Sequence, residues 1–153
     1  MKETGERGVG IRSLGHVAIR VSDRERAERF YSGVLGLPIR GHLGDDMTFF
    51  GVNADQFQDL AVIEVSTEEP TQAGQLGLDH VAFRVGNSLD ELRTAVERLR
   101  AHGIEVGAIM DHTWSNSVYF SDPDGNGIEL YVDRSDIWKT DTDFVPTATK
   151  LAL

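Results

Sequence analysis

Apolar and polar residues alternate along His16-Val17-Ala18-Ile19-Arg20-Val21, and the same alternation returns as His80-Val81-Ala82-Phe83-Arg84-Val85. A period of two predicts a strand in each copy, with Val17, Ile19 and Val21 turned toward a core and His16, Ala18 and Arg20 on the opposite face. A helical period follows each strand. Ser22 and Glu25 stand in capping-box order before Ala27, Phe30, Tyr31 and Val34 at helical spacing. In the second copy Ser88 and Glu91 precede Leu92, Ala95, Val96 and Leu99, and Gly103 offers a helix stop. Short strands are then predicted at 37–43, 47–52 and 60–65 in the first half, and at 104–109, 117–121 and 127–132 in the second. The last two are joined by Asp122-Pro123-Asp124-Gly125-Asn126, residues that each favour a turn for a backbone reason of their own.

A unit written twice predicts an α+β chain made of two modules, each strand, helix, then strands. We place one domain at 11–132, with modules at 11–66 and 76–132. The polar, aperiodic segment 67–75 is the linker, residues 1–10 are a flexible N-terminus, and 133–153 form a polar tail that Trp138 and Phe144 tie to the body.

Composition narrows the partners. Of 153 residues 40% are hydrophobic, enough for a packed interior, and 25 acidic against 15 basic side chains leave a net charge of -10. Nucleic acid and anionic membrane surfaces are thereby disfavoured, and a small molecule is the expected ligand. The chain has no cysteine, which removes disulfides, thiolate nucleophiles and cysteine zinc sites, and leaves any metal to His, Asp and Glu. The polar N-terminus resembles neither a signal nor a transit peptide and no apolar run approaches bilayer length, so a soluble cytoplasmic protein is expected.

The candidate chemistry lies on the polar strand faces. His16 and His80 occupy equivalent positions of the repeat. Glu129 and Tyr131 share a face opposite Ile128, Leu130 and Val132, and Glu64 is in phase with Leu60 and Val62. One such histidine would ordinarily cap a strand and one such glutamate would be solvated. A pair at repeat-equivalent positions instead suggests an oxygen- and nitrogen-ligated metal. Arg20 and Arg84 are expected to pair with carboxylates at a rim, His42 and His102 to lie on the surface, and Phe49 and Phe50 to be rim and core of one strand.

Four segments, Gly15-His16-Val17-Ala18, Phe30-Tyr31 through Leu35-Gly36, Leu78-Asp79-His80-Val81-Ala82 and Asp122 through Leu130, resemble the vicinal oxygen chelate superfamily of glyoxalases, bleomycin-resistance proteins and extradiol dioxygenases. The resemblance implies two βαβββ modules forming a half-open mixed β-barrel around a divalent metal, held by His16, His80 and Glu129. Ligand spacing and the segment Ser117 through Pro123 look most like single-domain catechol-type extradiol dioxygenases. That likeness implies iron(II), with three open positions for a bidentate catecholate and dioxygen, catalytic roles for His112 and Tyr119, and substrate contacts from Gln58, Trp114 and Asn116. Trp114 reads equally well as a side chain packed on its own module. Two departures stand out. Gln58 replaces the family's acid/base histidine and cannot carry a proton near neutral pH, and Asn116 replaces a second histidine.

The alternative is a glyoxalase-like isomerase, lyase or epimerase, with Glu64 as a fourth ligand and manganese, nickel, cobalt or zinc as the metal. A drug-binding resistance module is a third reading, against which the intact ligand triad speaks. Unpaired edge strands in such modules predict a homodimer.

Overall fold

The computed structural model describes residues 9–67 and 69–153, so 1–8 of the predicted flexible N-terminus lie outside the described residues; Val9 and Gly10 are irregular and exposed. Each repeat opens with its alternating strand, β1 at Val17–Val21 and β5 at His80–Gly86. Ile19 and Val21 are buried while His16, Ala18 and Arg20 are exposed, as the period of two requires. The first sheet has the order β1-β4-β3-β2, with β2 at Ile39–Leu43, β3 at Met47–Phe50 and β4 at Leu60–Glu64. The second has the order β5-β8-β7-β6-β9, with β6 at Ile109–Asp111, β7 at Ser115–Ser121, β8 at Gly127–Asp133 and β9 at Thr149–Lys150. In each module the opening strand runs parallel to the last one, β1 beside β4 and β5 beside β8, and the remaining βαβββ pairs are antiparallel. The result is a mixed α+β architecture whose barrel is not closed.

The helices differ from each other more than the repeat suggests. In the second module Ser88 caps α2, Leu89–Ala101, by accepting from Glu91 N, while the Glu91 carboxylate accepts from Asn87 N and from the Ser88 hydroxyl. That is the predicted capping box. In the first module the cap is Asp23, one residue later than the Ser22 pattern implies, and α1 runs only over Arg24–Glu28. It then widens into a π-helical turn over Arg29–Val34. The wide turn carries Phe30 and Tyr31, both buried and in edge-to-face contact at 5.0 Å.

Ser22 has another task. Its N–H and hydroxyl donate to the Asp124 carboxylate at 3.0 and 2.5 Å, Arg26 Nη2 donates to the same group at 2.8 Å, and Asn126 Nδ2 donates to the Arg20 carbonyl at 3.2 Å. The β7–β8 turn of the second module is thus bound to the C-terminal end of β1 in the first. Beneath it Tyr31 donates to Asp122 Oδ2 at 2.7 Å, while Asp124 N, Asn126 N and Asn126 Nδ2 supply that carboxylate's other donors. Burial first, then the Asp122 charge, pushes the Tyr31 phenol far above its usual pKa, so it is a permanent donor. Tyr31→Phe should lower stability by about 1.5–3 kcal/mol, the range for a hydrogen bond to a charged group. A lower urea midpoint at unchanged slope would show it.

One continuous core joins the modules, with Ile19, Phe30, Phe50 and Val62 from the first and Leu92, Val96, Phe120 and Ile128 from the second. Phe50 is fully buried and Phe49 half-buried, as expected of core and rim. Several predicted bounds need correction: the strand at 37–43 begins at Ile39, and that at 47–52 ends at Phe50. The strand at 104–109 begins only at Ile109, because after Gly103 the chain approaches β7 through isolated bonds between Gly107, Ala108 and Tyr119. The strand at 117–121 starts two residues earlier. The tail is structured, with a short α3 at Ile137–Thr140 and the added strand β9; Trp138 is exposed, and Phe144 alone of the two aromatics ties it down, edge-on to Trp114 at 6.1 Å. Of the linker, residues 67 and 69–75 are exposed and carry no helix or strand, and Thr71 N donates to Asp124 O. Among the described residues no helix is long and apolar enough to cross a membrane.

Candidate functional site

Register decides which side chains meet. Ala82 and Tyr119 both pair with Glu129, and Ser117 pairs with Tyr131, so His80, Glu129, Tyr119 and Tyr131 share the face of the second sheet that points away from the core. Val81, Val118 and Ile128 occupy the other face, against α2 and the core. Ala82 sits directly beside Glu129, whose side chain is largely buried.

On this face His80 Nε2 lies 2.9 Å from Glu129 Oε2. Two ligands bound at about 2.1 Å and at right angles to each other stand about 3 Å apart, so the pair has the spacing of adjacent ligands to one metal. The other imidazole nitrogen, Nδ1, is held by Asp79 Oδ2 at 2.7 Å, the kind of carboxylate support that orients a ligating histidine. The Tyr119 ring stands edge-on to His80 at 5.6 Å, and its hydroxyl is 2.8 Å from His112 Nε2. Burial, and next the charge of Glu129, raise the Tyr119 phenol above its ordinary value, which keeps it an O–H donor at neutral pH. Behind His112 the Trp114 ring lies at 5.3 Å and 32°.

The turn that presents His112 and Trp114 is tightly held. Asp111 accepts from Thr113 N at 2.8 Å, and Arg134 Nη1 reaches both its oxygens at 2.6 Å. The Thr113 amide, then Arg134 and Asn116 against opposing desolvation, lower the Asp111 carboxyl below its usual range. Thr113 itself has φ +72°, the left-handed conformation that β-branched residues avoid.

The other predicted residues fall elsewhere. His16 is exposed at the start of β1. It lines a cleft of about 1120 Å³ whose far wall includes Arg84 and Tyr131. The opposite end of β1, at Arg20, is the one bound to the turn beside His80, and four residues of strand separate the two ends by about 13 Å. Among the described residues no three His, Asp or Glu side chains converge as a metal-ligand set within one chain. His80 and Glu129 therefore meet, and His16 is not with them.

Glu64, the possible fourth ligand, is not brought together with His80 and Glu129. It pairs with Val21 at the exposed end of β4, and its carboxylate accepts from Arg24 N at 2.7 Å in the first turn of α1. Asn116 is in phase with Val118 and is buried, paired with Asp111 across the β6–β7 ladder. It has no face toward the site. Gln58 lies just before β4, and its Oε1 is buried with no hydrogen-bond partner among the described residues. Trp114 is half-buried, packed on its own module and beside His112 at once. Arg84 pairs with Asp133 at 2.9 Å, Arg20 is exposed, His102 ends α2, and His42 is exposed and bonds Glu28 at 2.8 Å. Asp79, Asp111, Arg134 and Phe144 are the site's supports that sequence reasoning missed. Only Asp79, next to a candidate ligand, carried a local signal.

The family model "Glyoxalase/Bleomycin resistance protein/Dioxygenase superfamily" matches residues 13–130. The chain is 33% identical over 144 residues to a catechol-2,3-dioxygenase of Bacillus subtilis (strain 168), covering 89% of this chain but 48% of that relative, so it spans about half its length. It is 27% identical to the metallothiol transferase FosB of Lysinibacillus sphaericus (strain C3-41), over 84% of this chain and 91% of that one. A glyoxalase/dioxygenase from Nostoc punctiforme has the same fold, with a TM-score of 0.70 at 20% identity over 88% of this chain and all of that one.

Proposed function

Since the chain belongs to the glyoxalase/bleomycin resistance protein/dioxygenase superfamily, we propose that it is an extradiol-type dioxygenase that cleaves a catecholic ring. We propose further that it works as a homodimer, each metal site taking His80 and Glu129 from one chain and His16 from the other. The observation that carries the reading is one row of side chains, His80 and Glu129 at ligand spacing with the hydrogen-bonded Tyr119–His112 pair beside them.

When bound, a divalent metal supplies Lewis-acid binding of two vicinal substrate oxygens, and iron(II) adds redox chemistry with dioxygen. The protein's own part is proton handling and positioning. Tyr119, kept protonated by burial and by Glu129, donates to a substrate oxygen that lies next to His80 and Glu129. His112, 2.8 Å from that hydroxyl, exchanges the proton. With Gln58 unable to titrate, His112 takes over the acid/base task that the family assigns to a histidine there. Trp114 supplies an apolar wall for a ring. The position of Glu64 at the start of α1 favours three protein ligands over the four of the isomerase reading. A cytoplasmic setting goes with this function.

Protein purified without air should carry iron and consume oxygen on a panel of catechols. Iron-loaded protein that stays at background with every catechol, and isomerises a hemithioacetal instead, would replace this reading with the glyoxalase-like one.

A further inference from the structure

Beyond β8 the chain does not end as an appendage. β9 pairs with β6, Lys150 opposite Met110 and Thr149 opposite Asp111, and Leu151 N donates to Ile109 O at 2.9 Å. The tail thereby extends the sheet at the edge from which the 111–115 turn projects. Four further contacts converge on that turn. Arg134 N and Ser135 N donate to the Trp114 carbonyl at 2.8 and 3.2 Å, the Thr147 hydroxyl bonds the Thr113 hydroxyl, and the Phe144 ring meets Trp114 edge-on at 6.1 Å and 87°. Trp114 in turn packs on His112, whose Nε2 holds the Tyr119 hydroxyl. Thr113, in its left-handed conformation, sits between the two aromatic-bearing positions. A residue in that region keeps its conformation only where the surroundings over-determine it.

We infer that Phe144 is a positioning and specificity-determining residue. Through Trp114 it holds the His112 ring against Tyr119, and together with Trp114 it builds a wall from the tail that limits the ring substituents the site accepts. The activity part rests on the proposed catechol chemistry; the positioning part does not.

The test uses the full-length chain with Trp138→Phe, which leaves Trp114 as the single tryptophan emitter. Zinc replaces iron so that histidine ring signals stay sharp. In Phe144→Ala the His112 ring-proton signals, identified by their loss in His112→Asn, should lose the ring-current displacement caused by Trp114, and Trp114 emission should shift to the red. In the iron form kcat on unsubstituted catechol should fall about 10-fold, short of the ~10²-fold that a full ångström of misplacement costs. KM for that substrate should change less, and bulky substituted catechols should gain relative to it. Phe144→Tyr, which keeps the edge-on ring, should restore all of these, and Phe144→Leu serves if the alanine variant does not fold.

Unchanged His112 signals and Trp114 emission in Phe144→Ala or Phe144→Leu would overturn the positioning role. A kcat loss that Phe144→Tyr leaves uncorrected would do the same. If the parent lacks oxygen uptake on catechols while the spectroscopic changes occur, the dioxygenase reading fails and the positioning role stands.

Discussion

Two variants that each fail to bind metal should recover it when mixed. His16→Ala and His80→Ala each remove one ligand from every site of a pure preparation, so neither should hold stoichiometric metal. If one chain supplies His80 and Glu129 and the other His16, a mixed dimer contains one site with both histidines missing and one with all three ligands intact. Random re-association at equal amounts makes half of the dimers mixed, so about a quarter of the wild-type metal content should return, with activity in proportion. The expectation stems from His16 lying at the end of β1 opposite the one bound beside His80, and from β1 and β5 being edges of their sheets. A site built within one chain would give no recovery at all. Full metal retention by folded His80→Ala would remove the ligand assignment altogether, and a monomer mass by light scattering at micromolar concentration would remove the dimer.

The second large effect concerns turnover at intact metal content. Tyr119→Phe keeps the ring edge-on to His80 and deletes only the hydroxyl that His112 holds; His112→Ala deletes the proton acceptor. Each should lower kcat by ~10²–10⁴-fold, the usual worth of a positioned general acid or base, and the double variant should be little worse than either because the two act as one unit. Glu64→Gln is the natural control. Its carboxylate accepts from Arg24 N at the start of α1, so metal content and kcat should stay near wild type. Loss of metal in Glu64→Gln, with Tyr119→Phe fully active, would reverse the assignment of roles.

Much of the architecture is legible in the chain because it rests on local rules. Period-two alternation places the core and polar faces of β1, β5 and β8 without knowledge of their neighbours, and the Ser88–Glu91 box and the Asp122–Asn126 turn are decided by side chains that bond their own backbone. The repeat likewise marks His16 and His80 as equivalent. Other features depend on atoms remote in sequence. Ser22 reads as a helix cap, yet Asp124 from the other module takes its hydroxyl and Asp23 takes the cap. Glu64 reads as a fourth ligand, but the parallel pairing of β1 with β4 sets it beside Val21, where its carboxylate accepts from Arg24 N.

Local sequence rules therefore establish the two-module plan and the residue types available for metal and proton chemistry, because alternation, capping and turn formation act over a few residues. How the candidates group is settled only by long-range packing. The register of β5, β8 and β7 sets His80, Glu129, Tyr119 and His112 on one face, and β9 brings Phe144 to Trp114. The same packing leaves His16 at the far end of β1. Those outcomes depend on which end of one module the other binds, and that choice is made by the shared core and by the Asp124 and Asp122 networks, contacts that have no periodic trace in the chain.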